Sequence, residues 1–209
     1  ININNVNSTN SGFSIIATDI NGNESTVSSI ISGTDHDGFG VSGGASGADT
    51  ELGFDNNTST SEKLMVNLGT DVNSVDVSFA WQHSGETAVI KFYKDGELVG
   101  ETTDNGGSDY VDAADTLAPD NGATFDSVEF SALGSGDDYL IHSITYDVVE
   151  SVASYSYPID ISAALADTDG SETLSVTLSG LPTGATLEIG RAGETAGTWI
   201  VPVDGDNIN

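Results

Sequence analysis

Val75-Asp76-Val77-Ser78-Phe79-Ala80-Trp81-Gln82 places large apolar side chains at every second position, with Asp76, Ser78 and Gln82 among the residues between them. Successive side chains of a strand point to opposite faces, so this spacing predicts a β-strand with one buried face. The same period returns on both sides. Ile90 and Phe92 begin a run that meets Asp95-Gly96, a hairpin dipeptide, and resumes at Leu98. Val128 and Phe130 alternate with polar residues, as do Leu140, Ile144, Tyr146 and Val148, then Ile159, Ile161, Ala163 and Leu165, then Leu174, Val176 and Leu178. Twenty-five glycines and many Asn, Asp and Ser clusters punctuate these runs, and no long stretch has helical periodicity. Many short strands with frequent turns predict an all-β protein built of antiparallel sandwiches, with Trp81 and Trp199 expected in the cores.

The charge is the second constraint. The 209 residues hold 33 Asp plus Glu against 4 Lys plus Arg, a formal net charge of −29. At least 29 carboxylates therefore have no cationic side chain to pair with, and their repulsion opposes compaction. Divalent cations supply the missing charge most directly, and Ca²⁺ prefers several carboxylate and carbonyl oxygens at once. The alternative is an acidic surface that serves solubility alone. The absence of Cys removes disulfides and thiolate zinc sites. The acidity argues against nucleic acid, whose phosphates need Lys and Arg, and the apolar runs are too short for direct membrane insertion. The opening Ile1-Asn2-Ile3 has no signal-peptide pattern, so the expectation is a monomeric piece of a longer secreted polypeptide.

Texture divides the chain into residues 1–33, 34–149 and 150–209. In the last segment, Asp167-Thr168-Asp169-Gly170-Ser171-Glu172-Thr173-Leu174-Ser175-Val176 is followed by Leu181-Pro182-Thr183-Gly184-Ala185-Thr186-Leu187. It resembles the opening half of an immunoglobulin- or cadherin-like repeat of the giant bacterial adhesins exported by type I secretion, the RTX adhesins. Phe13-Ser14-Ile15-Ile16-Ala17-Thr18-Asp19, with Gly22-Asn23-Glu24, is similar to the closing phrase of such a repeat. Either two truncated neighbours flank a middle domain, or residues 1–33 and 150–209 form one split Ig-like sandwich around a jelly-roll-like insert at 34–149. Half-sandwiches expose strand edges, which favours the split arrangement.

The middle segment carries Gly38-Phe39-Gly40-Val41 with Glu51, Val75-Asp76-Val77-Ser78-Phe79, Phe125-Asp126-Ser127-Val128-Glu129-Phe130 and Asp137-Asp138-Tyr139-Leu140-Ile141 with Ile144. It resembles the peptide-binding domain type near the distal tip of these adhesins, and equally a carbohydrate-module sandwich. The first resemblance implies a calcium ion in a surface groove that receives a peptide C-terminus. It also implies a bacterial cell-surface location, neighbouring adhesin domains, and a peptide on a host or neighbouring cell as partner. The second implies a glycan there instead. A ligand-free, calcium-stiffened spacer is the third possibility.

Several clusters have spacings suited to a cation. Asp35-His36-Asp37-Gly38 sets two carboxylates two apart before a glycine, and Asp167 and Asp169 with Glu172 repeat the arrangement. A solvated Asp-Gly turn explains either equally well. Asp104, Asn105, Asp109 and Asp112 crowd the Thr102–Asp115 stretch, where Gly106 and Gly107 would let carbonyls approach an ion or ligand. Asp137 and Asp138 follow a glycine-rich turn, and as neighbours in a strand they would point to opposite sides, one to metal and the other to solvent or to a cap on the loop. Glu51 and Asp55 are further candidate ligands, and Tyr110 and Tyr139 are candidate walls of a wet groove. His36, His83 and His142 are scattered, so no catalytic constellation emerges and a binding protein rather than an enzyme is expected. Gly38-Phe39-Gly40-Val41-Ser42-Gly43 has the spacing of a dinucleotide loop, but it sits beside acids that would repel pyrophosphate.

Overall fold

A computed structural model describes residues 1–9, 11–31, 37–148, 158–166, 169, 174–183 and 185–202. Every regular element among them is a strand, and the chain divides into two compact units, Ile1–Ser151 and Val152–Asn209.

The first unit begins with β1 (Ser14–Thr18), β2 (Glu24–Ser25), β3 (Val27–Ile30), β4 (Gly38–Val41), β5 (Leu52–Asp55) and β6 (Thr60–Ser61). It continues with β7 (Lys63–Val72), β8 (Val75–Ala80), β9 (Thr87–Lys94), β10 (Glu97–Asn105), β11 (Asp115–Leu117), β12 (Phe125–Ala132) and β13 (Asp138–Thr145). One antiparallel sheet runs β10-β9-β12-β7-β1-β2, and the other runs β11-β8-β13-β4-β3, with β5 and β6 appended to β13. Their inner faces share one core. The predicted alternation at 75–79 places Val75, Val77 and Phe79 inside, opposite Leu64, Val66, Ile90, Phe92, Val128 and Phe130 of the facing sheet. Phe79 stands edge-on to Phe130 across the layers, with centroids 6.3 Å apart. Burying a large apolar side chain contributes about 1.5–3 kcal/mol, so these alternating positions are the main stabilising term. The Asp95-Gly96 hairpin forms as expected: both residues have positive φ, 52° and 84°, the twist that a two-residue turn between strands requires.

The division expected at residue 33 is not the one the fold makes. β1 pairs with β7 from Ser14↔Asn67 to Thr18↔Lys63, and β3 pairs with β4. Ala17 and Val6 lie in the same core as Phe79, and the Ile144 amide donates to the Ile1 carbonyl. The physical reason is edge satisfaction. Without β1, the long strand β7 would present an open hydrogen-bonding edge. The opening segment therefore completes the sandwich of residues 38–145.

The second unit contains β14 (Val176–Leu178), β15 (Arg191–Ala192) and β16 (Trp199–Val201), ordered β14-β16-β15. Trp199 donates its ring N–H to the Ile189 carbonyl at 2.7 Å, and Val201 is buried. The alternating run Ile159, Ile161, Ala163 and Leu165 lies outside these strands, with Ile159 exposed.

Candidate functional site

One rim of the first unit gathers four loops, and strand register explains why. Asn105 at the end of β10 pairs with Thr87 at the start of β9, and Ala132 at the end of β12 pairs with Ala88. Ala80 at the end of β8 meets both Leu140 and Val111, and Asp138 at the start of β13 pairs with Gly53. The segments 42–51, 81–86, 106–114 and 133–137 therefore emerge together.

Trp81 shapes this rim. It follows Val75, Val77 and Phe79 in period, yet its φ is +58°, a left-handed conformation that a bulky residue rarely adopts. The turn ends β8 and exchanges the two faces. Trp81 leaves the core half-buried, and Gln82 takes the inward place at 1% exposure. The expected core role of Trp81 is thus corrected. Its indole lies 5.7 Å from Tyr110, which is 56% exposed, and 6.1 Å from the His83 ring. Inside, Gln82 Nε2 donates to the Asp104 carbonyl at 3.2 Å, while its Oε1 has no hydrogen-bond partner. Residues held in sparsely populated backbone regions cluster at binding sites, where the surroundings over-determine them.

The carboxylates around this aromatic group are crowded. Glu51 of the 42–51 loop and Asp138 of β13 meet beside Gly47, where an added Cβ would lie 2.7 Å from Asp138 Cγ and closer still to Glu51 Oε2. Burial, and then the charge of Glu51, push Asp138 up to about 6. Glu86 accepts the His83 amide at 2.5 Å; burial pushes it up to about 7, with Asp138 and Asp137 adding repulsion. Asp104 is pushed up to about 6, first by burial and then by Asp115 and Asp112. A carboxyl raised in this way holds its proton more tightly than a free one, and the part of the shift that comes from neighbouring carboxylates is repulsion that a cation would relieve. The unit's three lysines stand elsewhere: Lys63, Lys91 and Lys94 pair with Glu129, Glu101 and Asp71 on the outer face of the six-stranded sheet.

No family model matches this chain, and no curated protein matches it.

The rim thus brings together Glu51 with Asp138, and Asp104 with Asp112, with Tyr110 alongside. Asp109 is exposed in the same 106–114 loop. Other candidates have different work. Asp55 accepts the Thr58 amide and hydroxyl at 2.8 and 2.7 Å and fixes the turn between β5 and β6. Asp137 accepts the Gly134 amide at 2.9 Å and closes its own loop, while its charge adds to the repulsion on Asp138 and Glu86. Asn105 accepts the Thr87 hydroxyl, and Asp37 lies at the other end of β4 from the 42–51 loop, with its carbonyl 2.5 Å from His142 Nδ1. Tyr139 is not a groove wall. It is fully buried against Phe79, and its hydroxyl donates to the Ser131 carbonyl, because its place in β13 alternates inward. Asp35, Asp167 and Glu172 lie outside the described residues, and Asp169 belongs to the second unit.

Gly106 and Gly107 allow close packing at this rim. A Cβ on Gly106 would sit 2.6 Å from the Gln82 carbonyl oxygen and closer to that of His83, and the Gly107 amide donates to Asp112 Oδ2 at 3.2 Å. Both obstacles at Gly106 are backbone, which cannot swing aside. Gly106→Ala is therefore expected to lower stability by about 1–3 kcal/mol and to displace the 81–86 loop. A urea midpoint unchanged from wild type would show that this contact is loose.

Among the described residues, no three His, Asp or Glu side chains converge closely enough to hold a metal ion by themselves. The chemistry nevertheless fits a hard cation: two carboxylates, Glu51 and Asp138, meet with no lysine or arginine beside them, and His83 is the ring near them. Carbonyls, water or a ligand would complete the shell. The sequence reading missed Trp81, Gln82, His83 and Glu86. Only Gln82 gave a local signal, as a polar residue at the end of a buried strand.

Proposed function

We propose that the first unit is a calcium-dependent adhesion module of a secreted bacterial surface protein. Its rim would bind the C-terminus of a peptide through a calcium ion. The meeting of Glu51 and Asp138 carries this reading. Two carboxylates held together with no lysine or arginine beside them, only the His83 ring, are poised for a divalent ion, and such a rim would otherwise repel a peptide carboxylate. Glu51 and Asp138 are the groups that would hold the ion, which would supply the positive charge that receives the ligand. Trp81 and Tyr110, packed edge-on to each other on the same rim, would meet the adjoining side chains of the peptide. Extracellular calcium modules commonly bind with Kd of roughly 10⁻⁴–10⁻³ M, which is suited to loading outside the cell. The resemblance to RTX adhesins supports the same location.

The test is a library of immobilised peptides, screened with calcium and again with EDTA, each peptide paired with its C-terminal amide. Binding is expected only with calcium and only to free carboxylates. Equal capture of the amidated peptides, or capture in EDTA, would refute the bridge.

A further inference from the structure

A second recess lies at the end of the first unit away from this rim, and it is built by a fault in the sheet. Between Phe125↔Val72 and Ser127↔Asn67, the four residues Leu68, Gly69, Thr70 and Asp71 of β7 stand opposite Asp126 alone. Bulges re-aim side chains and recur beside binding sites. This one is fixed in place: Gly69 has φ +70°, its missing Cβ would strike the Gly12 carbonyl, and its amide donates to Asn67 Oδ1 at 2.9 Å. The bulge and the β9–β10 turn border a groove of about 630 Å³, lined by Met65, Asn67, Asp71, Tyr93, Lys94 and Asp126 among others. That volume falls within the range of small-ligand sites, about 300–1,000 Å³.

Its chemistry selects the ligand. Lys94 Nζ is shared by Asp71 at 2.9 Å, Asp95 at 3.2 Å and Asp126 at 3.4 Å. Asp126 is further engaged by the Asp95 amide and the Ser127 hydroxyl. Three carboxylates against one ammonium leave a net negative charge that repels anions, and each of the three already faces the ammonium. Beside them stands a dense set of hydrogen-bonding groups: the Asn67 amide, the Thr70 hydroxyl, the Ser127 hydroxyl oxygen and the remaining lone pairs of Asp71. Tyr93 lies directly across from Ser127, which in turn lies across from Asn67, and Met65 lines the same groove. An aromatic and a thioether beside fixed polar groups match a molecule with hydroxyls at its rim and C–H bonds on its face. We propose that this groove binds a neutral saccharide, independently of calcium and of the acidic rim.

The intact chain, kept in EDTA, would be titrated with cellobiose, maltose, lactose and N,N′-diacetylchitobiose, with galacturonic acid as the anionic control. Backbone amide resonances are the readout. At least one disaccharide is expected to shift Asn67, Tyr93, Lys94 and Ser127 saturably, with galacturonic acid inert and added calcium without effect on affinity. Tyr93→Ala should weaken that binding about tenfold or more, while Tyr93→Phe, which keeps the ring, should retain most of it. The proposal is overturned if none of the four sugars moves these resonances, or if the shifts appear only at Trp81 and Tyr110 and need calcium. It is also overturned if Tyr93→Ala, folded by its amide spectrum, binds as wild type does. Loss of calcium-dependent peptide capture would leave this result unaffected.

Discussion

Calcium added to the metal-free protein should raise its melting temperature by roughly 5–10 °C. At a hundredfold excess over Kd, a ligand specific for the folded state adds about 2.7 kcal/mol, and each kcal/mol moves Tm by about 2–4 °C for a chain of this size. The mechanism is open to a sharper check through pH. Asp138, Asp104 and Glu86 have folded-state values raised to about 6, 6 and 7. The folded state therefore holds protons that the unfolded state has released, and stability is lost as pH rises through that window. In EDTA, Tm should climb as pH falls from about 8 to about 5.5, opposite to the usual loss of carboxylate pairs on acidification. Asp19 and Asp55, held low by hydrogen bonds from Asn23 and Thr58, weaken the fold only at more acidic pH. Saturating calcium should flatten the climb, because the ion replaces the protons. Asp138→Asn should cross over: in EDTA it should be no less stable than wild type, gaining on the order of 1 kcal/mol from relieved repulsion after solvent screening. In calcium it should lose most of the wild-type increment. An identical Tm for wild type with calcium and with EDTA would sink the cation reading of the rim.

The sandwich was legible because its signal is local and repeated. Val75, Val77 and Phe79 declare an inward face by alternation alone, and Asp95-Gly96 declares a hairpin by its backbone freedom. Partner choice was not legible. Nothing in Phe13–Asp19 says that β1 will close the edge of β7, since pairing depends on which edge is left open once other strands are placed. The rim was half legible. Acids clustered within one loop, such as Asp104 to Asp115, stand out, but the meeting of Glu51 with Asp138 joins residues far apart in sequence. Trp81 misled for a physical reason: its period is that of a core residue, and only the left-handed turn at its own backbone sends it outward and Gln82 inward. Tyr139 misled in the other direction, because its acidic neighbours suggested a wet groove while the alternation of β13 carries it into the core. Glu62 escaped notice altogether. It is 1% exposed, accepts the Gly53 amide on Oε2 and leaves Oε1 without a partner beneath Gly43, so the 42–53 loop is folded over a buried carboxylate.

Phe79→Ala should be the most damaging single change in the first unit, at about 3–5 kcal/mol. The ring is 1% exposed and touches both layers, edge-on to Tyr139 of its own sheet at 5.2 Å and to Phe130 of the other at 6.3 Å. Aromatic pairs in such geometry add about 0.5–1.5 kcal/mol beyond burial, so truncation removes two of them and leaves a void between the sheets. Against a typical domain stability of about 5–15 kcal/mol, the variant would be marginal at ambient temperature. Phe79→Leu, which fills more of the void, should fall between Ala and wild type. Urea unfolding followed by tryptophan fluorescence would measure all three. A loss below about 1 kcal/mol for Ala would mean that the sheets close over the void. The experiment also separates core from rim. The Phe79 carbonyl accepts the Asp112 amide, and Trp81 turns two residues later, so the ring supports the floor beneath the acidic loops. If the calcium increment in Tm is the same for Phe79→Leu as for wild type, the ion and the core act as independent terms. If it shrinks, the spacing of the rim carboxylates is set by the packing below them, and the core belongs to the binding site as much as the loops do.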